Sequence, residues 1–228
     1  MRRTIALLSL LILGVAASQA ADRAKYAIKT AASEPPKEVT AAVKALLADK
    51  SIQVNDDQGK PYCEIWLRKD FPVKATAEDF KKGVTVRKLE ESTVVGAIKL
   101  SQPWQSFRKQ SLKPGVYTLR LGFQPMDGDH QGTAPFGEFL LICPAAEDKK
   151  AGAIEQKDLW ELSGKAIAGS SHPVVLLLYP NPKAEAGTSL ANKGNDIWVL
   201  NLKADASAGS EKGPLGFGLT LFGVTNAE

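Results

Sequence analysis

Residues 111–143 read SLKPGVYTLRLGFQPMDGDHQGTAPFGEFLLIC, and this stretch predicts two strands joined by a long polar loop. Pro114-Gly115 is a turn signal, and between Val116 and Phe123 every second residue is large and apolar. This period of two is typical of a strand that is buried on one face. Glu138–Cys143 is apolar on both faces after its first residue, which predicts a central strand.

The alternation in the first of these strands assigns its side chains to two faces. Leu119 and Leu121 fall on the face that is predicted to be buried, and Arg120 falls on the opposite face. We therefore expect Arg120 to face solvent or the outer surface of the sheet.

Short apolar segments separated by turns occur along the rest of the chain. They predict eight strands in total, at Tyr62–Arg68, Val84–Lys88, Val94–Leu100, Gly115–Phe123, Glu138–Cys143, Val174–Tyr179, Asp196–Lys203 and Leu215–Val224. Residues 204–214 are predicted to be a loop, and the glycines at 216 and 218 indicate a bulge or a close approach of another segment. Eight short strands predict an all-β protein, mainly an antiparallel β-sandwich or jelly roll.

Two stretches have the spacing of apolar residues that is typical of helices. One begins near Pro36 and carries an apolar stripe of Val39, Val43 and Leu47, and the other spans Ile154–Ala168. The first stripe is open to two interpretations, a helix that binds a partner or a helix that packs on its own domain. We expect both helices to be short and to cover an end or an open edge of the sheet.

The amino terminus has the pattern of a secretory signal peptide. Arg2-Arg3 is followed by an apolar stretch from Ile5 to Ala17 and by small residues that end at Ala20. The organisation predicted is therefore a signal peptide at 1–20, a flexible lead-in at 21–36 and one β-sandwich domain at 37–228. A protein of this kind is periplasmic or secreted.

Charge excludes one class of partner. Without Arg2 and Arg3, 27 basic residues face 25 acidic ones, which gives the mature chain a net charge of +2. A nucleic-acid-binding domain would carry a stronger and more clustered positive charge, so none is expected as partner. No apolar run after the signal is long enough for a membrane span. An envelope protein or a glycan remains a candidate partner, and the oligomeric state stays open.

The chain contains two cysteines, Cys63 and Cys143. An even count in an exported protein predicts a disulfide. Each cysteine alternates with apolar residues of its own strand, so both are placed on buried faces. Two separate buried thiols are the alternative, because free cysteine packs like a small hydrophobic residue.

The octapeptide Leu112-Lys-Pro-Gly-Val-Tyr-Thr-Leu119 resembles the L-x-P-G-x-Y-x-L start of a strand in prealbumin-like β-sandwich modules of secreted bacterial proteins. With the M-D-G-x-H loop that follows, it is also similar to a group of uncharacterised exported proteins of environmental bacteria. The resemblance implies a secreted β-sandwich and brings no known activity.

The loop Gln124–Phe136 is the predicted functional site, because thirteen residues are more than a hairpin connection needs and long loops often carry binding residues. Its candidate ligand-binding residues are Met126, Asp127, Asp129, His130 and Gln131. Such a cluster also suits a turn in which the aspartates accept bonds from their own backbone.

A divalent metal ion is the cofactor that this loop would suit. Asp127 and Asp129 are spaced like the first ligands of a calcium loop, although the later ligands of an EF-hand are absent. His130, with His172 as a second candidate ligand, would instead favour a transition metal.

The sequence favours an exported, non-catalytic protein that binds a ligand or scaffolds an assembly of the bacterial envelope. It has no G-x-S-x-G, H-E-x-x-H, C-x-x-C or P-loop motif. A periplasmic metal-binding protein that uses the Asp127–His130 loop is the first alternative, and a hydrolase of envelope polymers is the second. A sugar-stacking platform of aromatic residues is a further hypothesis, and its members would be Trp66, Trp104, Phe107 and Trp198.

Overall fold

The computed structural model describes residues 25–124, 136–170, 172–181, 184 and 187–224. The three helices in these residues are α1 Ala41–Lys44, α2 Ala77–Lys82 and α3 Gln156–Gly164. The strands are β1 Tyr26–Ala32, β2 Lys50–Asp56, β3 Pro61–Leu67, β4 Phe71–Pro72, β5 Val94–Leu100, β6 Trp104–Gln105, β7 Ser111–Leu112, β8 Gly115–Phe123, β9 Glu138–Pro144, β10 Val174–Pro180, β11 Ser189–Asn192, β12 Trp198–Ala208 and β13 Glu211–Phe222.

One large curled sheet dominates these residues. Its strands follow the order β1-β2-β3-β5-β8-β9-β10-β13-β12-β11, and β6 and β7 form a separate pair. The sheet curls far enough for its first strand to reach its last ones. The ring of Tyr26 in β1 stacks on that of Phe222 in β13, with centroids 3.7 Å apart. The predicted all-β class with short covering helices is confirmed.

The inner surface of the curled sheet encloses the main hydrophobic core. Leu119 and Leu121 of β8 lie in it with Leu200 of β12 and Phe217 of β13, and none of these four is more than 1% exposed. The facing halves of the sheet therefore pack against each other as the two layers of a sandwich do.

The outer surface of the central strands is also covered. Val43 of α1 and Leu47 pack against Trp66 in one apolar cluster, and Leu159 of α3 packs against Leu141 in another. Both predicted helical stripes thus pack on their own domain, although each helix is shorter than predicted. None of the helices among the described residues has both the length and the hydrophobicity that a membrane crossing requires.

Three segments differ from the prediction. Tyr26–Ala32, in the predicted flexible lead-in, forms the edge strand β1 and pairs with β2 along its whole length. Val84–Lys88 is a bridge residue and a short 3-10 turn instead of a strand. Residues 204–214 are a hairpin in which β12 continues to Ala208 and β13 begins at Glu211. Pairing with a neighbouring strand, rather than apolar alternation, holds the first and the third of these segments extended.

Arg120 was expected to face solvent or the outer surface of the sheet, and it is fully buried on that outer surface. Its Nε and Nη2 donate to the two carboxylate oxygens of Asp148 at 2.8 and 2.7 Å. Its Nη1 donates to the carbonyl oxygens of Ser92 and Gly152, and Nη2 also donates to that of Lys150. All five N–H donors of the guanidinium therefore have a partner.

The two cysteines form no disulfide. Cys63 of β3 points into the main core, whereas Cys143 of β9 lies in the outer cluster under α3. Two strands, β5 and β8, lie between β3 and β9. The backbones of β3 and β9 are therefore three strand spacings, or about 14 Å, apart. A disulfide needs Cα atoms within ~7 Å and side chains that converge. The predicted disulfide is therefore wrong, and the alternative of two buried thiols is confirmed.

Truncation of the core leucines of β8 should be costly. We expect Leu119→Ala and Leu121→Ala each to lower the free energy of unfolding by about 2–5 kcal/mol, because both side chains are fully buried. Urea denaturation followed by tryptophan fluorescence measures the loss. The exposed Lys113→Ala is the control and should change stability by less than ~0.5 kcal/mol. Equal losses in the three variants would contradict the packing described.

Both thiols should be unreactive in the folded protein. Burial raises the pKa of the Cys63 thiol to about 12 and also raises that of Cys143. At pH 8 the reactive thiolate is therefore scarce in the folded state and common only after unfolding. Titration with a chromogenic disulfide reagent, without reductant, should count no thiols in buffer and two in denaturant. A count of zero thiols in denaturant would instead show that the two cysteines are bonded.

Candidate ligand cavity at the loop end of the sheet

The loop that the sequence singled out joins the end of β8 to the start of β9. Met126, Asp127, Asp129, His130 and Gln131 lie outside the described residues, so the metal and ligand roles given to them stay predictions. The backbone on both sides of the loop is described. The amide of Gln124 donates to the carbonyl oxygen of Gly137 at 2.8 Å, and the ring of Phe136 meets that of Tyr179 edge to face at 4.9 Å.

His172 lies at the opposite end of the strands from these anchors. It precedes β10, and Val174 of β10 pairs with Ile142 while Leu177 pairs with Phe139. The seven residues of β10 therefore separate exposed His172 from the loop end of the sheet by about 20 Å. Within the part of the chain that the structure describes, no group of three metal-ligating side chains is present.

The hypothesis of a sugar-stacking platform is not supported. Trp66, Trp104 and Trp198 are only 2%, 5% and 9% exposed, so their faces are not available to a sugar. The indole Nε1 of Trp104 donates to the carbonyl oxygen of Leu221 at 2.6 Å, which fixes that ring inside the protein. Phe107 is half-buried and belongs to none of the apolar clusters.

A cavity of about 300 Å³ opens at the loop end of the sheet, beside the anchors of the loop. Apolar side chains form most of its wall, namely those of Val86, Leu178, Pro180 and Phe217. The cavity thus combines residues from the 3-10 turn, from the end of β10 and from the middle of β13. These segments are far apart in the sequence and meet because the sheet curls.

Charged groups flank the cavity on one side. Arg87 forms an ion pair with Glu138, the first residue of β9. The arginine side chain is 67% exposed and the glutamate side chain only 13%, so the carboxylate lies deeper than its partner. The pair contributes little to stability at such an exposed position. Arg87 and Glu138 both line the cavity.

Asn181 lines the cavity with a side-chain amide that is unsatisfied among the described residues. Its side-chain Nδ2 is buried and has no hydrogen-bond acceptor among the described residues. A buried amide N–H without an acceptor costs about 1–3 kcal/mol, so a small shift of this side chain that brought its Nδ2 to a ligand acceptor in the cavity would be favoured. This is the kind of group that fixes the orientation of a ligand in an otherwise apolar pocket.

Gly216 determines where Asn181 can lie. A Cβ atom at this position would fall 2.0 Å from the carbonyl oxygen of Asn181 and 2.8 Å from Ala184. Only glycine therefore lets the segment after β10 lie directly on β13. The close approach that the sequence indicated at Gly216 is confirmed, whereas Asn181 and Arg87 carried no sequence signal as site residues.

No protein-family model, curated protein or solved structure matches this chain. The roles of the fold and the cavity therefore follow from the residues of this chain alone.

Proposed function

We propose that this chain is an exported, non-catalytic binding protein of the bacterial cell envelope, and that the loop-end cavity holds its ligand. The observation that carries the proposal is an apolar cavity of about 300 Å³ that is lined by Asn181, whose buried Nδ2 has no acceptor among the described residues. Such a combination suits recognition, because apolar walls supply affinity and one directed polar group supplies orientation.

The walls indicate the chemical class of the ligand. A small molecule with an apolar or aromatic body would cover Val86, Leu178 and Phe217, and a carbonyl or ether oxygen would accept from Asn181. The cavity lies at the lower end of the ~300–1,000 Å³ range of ligand pockets, which favours a ligand of one or two rings. Arg87 would tolerate a polar substituent at the opening.

Binding of a neutral probe tests the cavity. Prodan, a naphthalene ketone with one good acceptor oxygen, should bind the folded mature protein with 1:1 stoichiometry and a blue-shifted emission. Asn181→Ala should weaken binding about fivefold, the loss expected for one neutral hydrogen bond. Asn55→Ala, which removes an amide from β2 and leaves the cavity intact, is the matched control.

Circular dichroism should be the same for both asparagine variants, and neither should be less stable in urea than the natural chain, so that weaker binding reports the site and not unfolding. If the natural chain and both asparagine variants bound the probe with equal affinity, the probe would bind elsewhere and the cavity would not be the binding site.

Export gives a separate prediction. The Arg2-Arg3 start, the apolar stretch and the small residues before Ala21 predict removal of residues 1–20. Mass spectrometry of protein from the periplasm or medium of a bacterial expression host should give the mass of a chain that begins at Ala21. Soluble protein that retains Met1 would contradict the export proposal and leave the cavity untouched.

A further inference from the structure

The two edges of the curled sheet meet along a seam between β1 and the β11–β12 pair. One end of this seam is closed by aromatic rings, because Tyr26 lies edge to face with Trp198 at 5.4 Å and stacks on Phe222. An ion pair between Lys25 and Asp196 at 3.5 Å lies at the same end.

The other end of the seam is open. β11 pairs with β12 only over Trp198–Asn201, and β4 pairs with it only at Ala206 and Ser207. Among the described residues, the β12 edge between these two pairings has no strand partner on that side. A cavity of about 190 Å³ lies between this free edge and strands β1–β3. It continues into a shallow groove along the β12–β13 hairpin.

This seam cleft, formed by that cavity and groove, is strongly basic. The cationic side chains that line it are Lys50, Arg68, Lys69, Lys203 and Lys212. Among the described residues that line it, the carboxylates are those of Asp70 and Asp205. Five cations against two anions give a local charge of +3, which is more than the +2 of the whole mature chain. In the described part of the chain, none of the five cations forms an ion pair.

Arg68 is the cation of the cleft that is held in place. It is half-buried, and its Nε donates to the backbone carbonyl oxygen of Asp70 at 2.7 Å. The Asp70 carboxylate accepts from the Ser207 hydroxyl at 2.5 Å instead of pairing with the guanidinium. The remaining N–H groups of Arg68 have no acceptor among the described residues. Burial lowers the pKa of Arg68, and the nearby Asp70 carboxylate opposes this effect.

We propose that the seam cleft binds a small oxyanion, the phosphate or carboxylate group of a low-molecular-weight ligand. The Nη atoms of Arg68 suit two oxygens of one such group, and Lys203 and Lys69 lie on the same cleft. The free edge of β12 adds backbone N–H groups. The cleft has no aromatic lining residue, so it offers no surface for stacking of a nucleobase. This site is distinct from the loop-end cavity and does not depend on it.

Calorimetric titration with inorganic phosphate and with citrate tests the proposal, in chloride buffer of constant ionic strength. The double variant Arg68→Gln/Lys203→Gln should bind the preferred anion at least tenfold more weakly than the natural chain. The control is Lys113→Gln/Lys193→Gln, which removes the same charge from exposed positions outside the cleft. It should bind as the natural chain does.

The two titrants identify the kind of anion, because phosphate binding without citrate binding indicates a phosphate ligand and the reverse a carboxylate ligand. Equal weakening in both double variants, or no heat from either anion, would overturn the proposal. Arg68 is partly buried, so Lys203→Gln/Lys212→Gln serves as a second variant that leaves the core intact. The neutral probe of the loop-end cavity should bind all these variants equally.

Discussion

Arg120→Ala should lower the free energy of unfolding by about 3–5 kcal/mol, the cost of removing one partner from a buried ion pair. Both side chains of the pair are at most 1% exposed. After the substitution, the Asp148 carboxylate would remain buried without its cation. The carbonyl oxygens of Ser92, Lys150 and Gly152 would lose their donor as well.

Asp148 is tied to more than Arg120. The hydroxyl of Thr118 donates to its carboxylate at 2.6 Å, and the hydroxyl of Thr40, next to α1, donates to its backbone carbonyl at 2.5 Å. The Arg120–Asp148 pair therefore fastens the segment after β9 and the start of α1 to the outer surface of β8. Loss of either charge should loosen both covering elements together.

Urea denaturation of Arg120→Ala and of Arg87→Ala separates a buried ion pair from an exposed one. Arg87 also pairs with a glutamate, but its side chain is largely exposed, so its truncation should cost less than ~1 kcal/mol. Asp148→Asn should resemble Arg120→Ala, because it leaves the guanidinium buried without its counter-charge. If Arg120→Ala were no more costly than Arg87→Ala, the buried network would not stabilise the fold.

The burial of Arg120 shows how far the alternation of a strand can be used. The period of two correctly put Arg120 on the face opposite Leu119, since that depends only on the geometry of one strand. Whether the opposite face meets water depends on which segments cover it. Those segments, α1 and residues 145–155, lie far away in the sequence, and their positions follow from tertiary packing.

The cysteines illustrate the same limit across two strands. Apolar neighbours correctly predicted that Cys63 and Cys143 are buried. The alternation within each strand, however, does not say whether the two cysteines face the same side of the sheet. The register of the pairings decides that. Cys63 lies opposite Leu100 of β5, which lies opposite Gly115 of β8. Cys143, in contrast, lies opposite Thr118, an odd number of residues further along β8. The two thiols therefore lie on opposite surfaces of the sheet, with β5 and β8 between them.

The candidate sites were missed for a related reason. The loop-end cavity and the seam cleft are each built from residues of several strands, and no short motif marks them. Asn181 becomes notable only because it is buried without an acceptor, and Arg68 only because its neighbour Asp70 bonds elsewhere. These are properties of the packed chain rather than of the residue types.

Phe71→Ala should lower the free energy of unfolding by about 3–5 kcal/mol, as truncation of a fully buried phenylalanine does. Phe71 belongs to the two-residue strand β4 and has no exposed surface. Its ring meets that of Phe217 edge to face at 6.1 Å inside the main core. No strand was predicted at Phe71 and Pro72, because two residues are too few to show an alternating pattern.

β4 also holds one wall of the seam cleft. Phe71 pairs with Ala206 of β12, and the amide of Val73 donates to the carbonyl oxygen of Ser207 at 2.9 Å. These bonds fix the chain just after Arg68. Phe71→Ala should therefore weaken anion binding in the cleft as well as the fold, under conditions in which the variant is still folded.

Urea denaturation and phosphate or citrate titration of Phe71→Ala measure the two effects. The half-buried Phe107→Ala removes the same ring from a site outside the apolar clusters, and it should cost far less stability and leave anion affinity unchanged. A Phe71→Ala protein that is as stable as Phe107→Ala would show that β4 does not anchor the core. A destabilised variant with full anion affinity would instead show that Arg68 is positioned without β4.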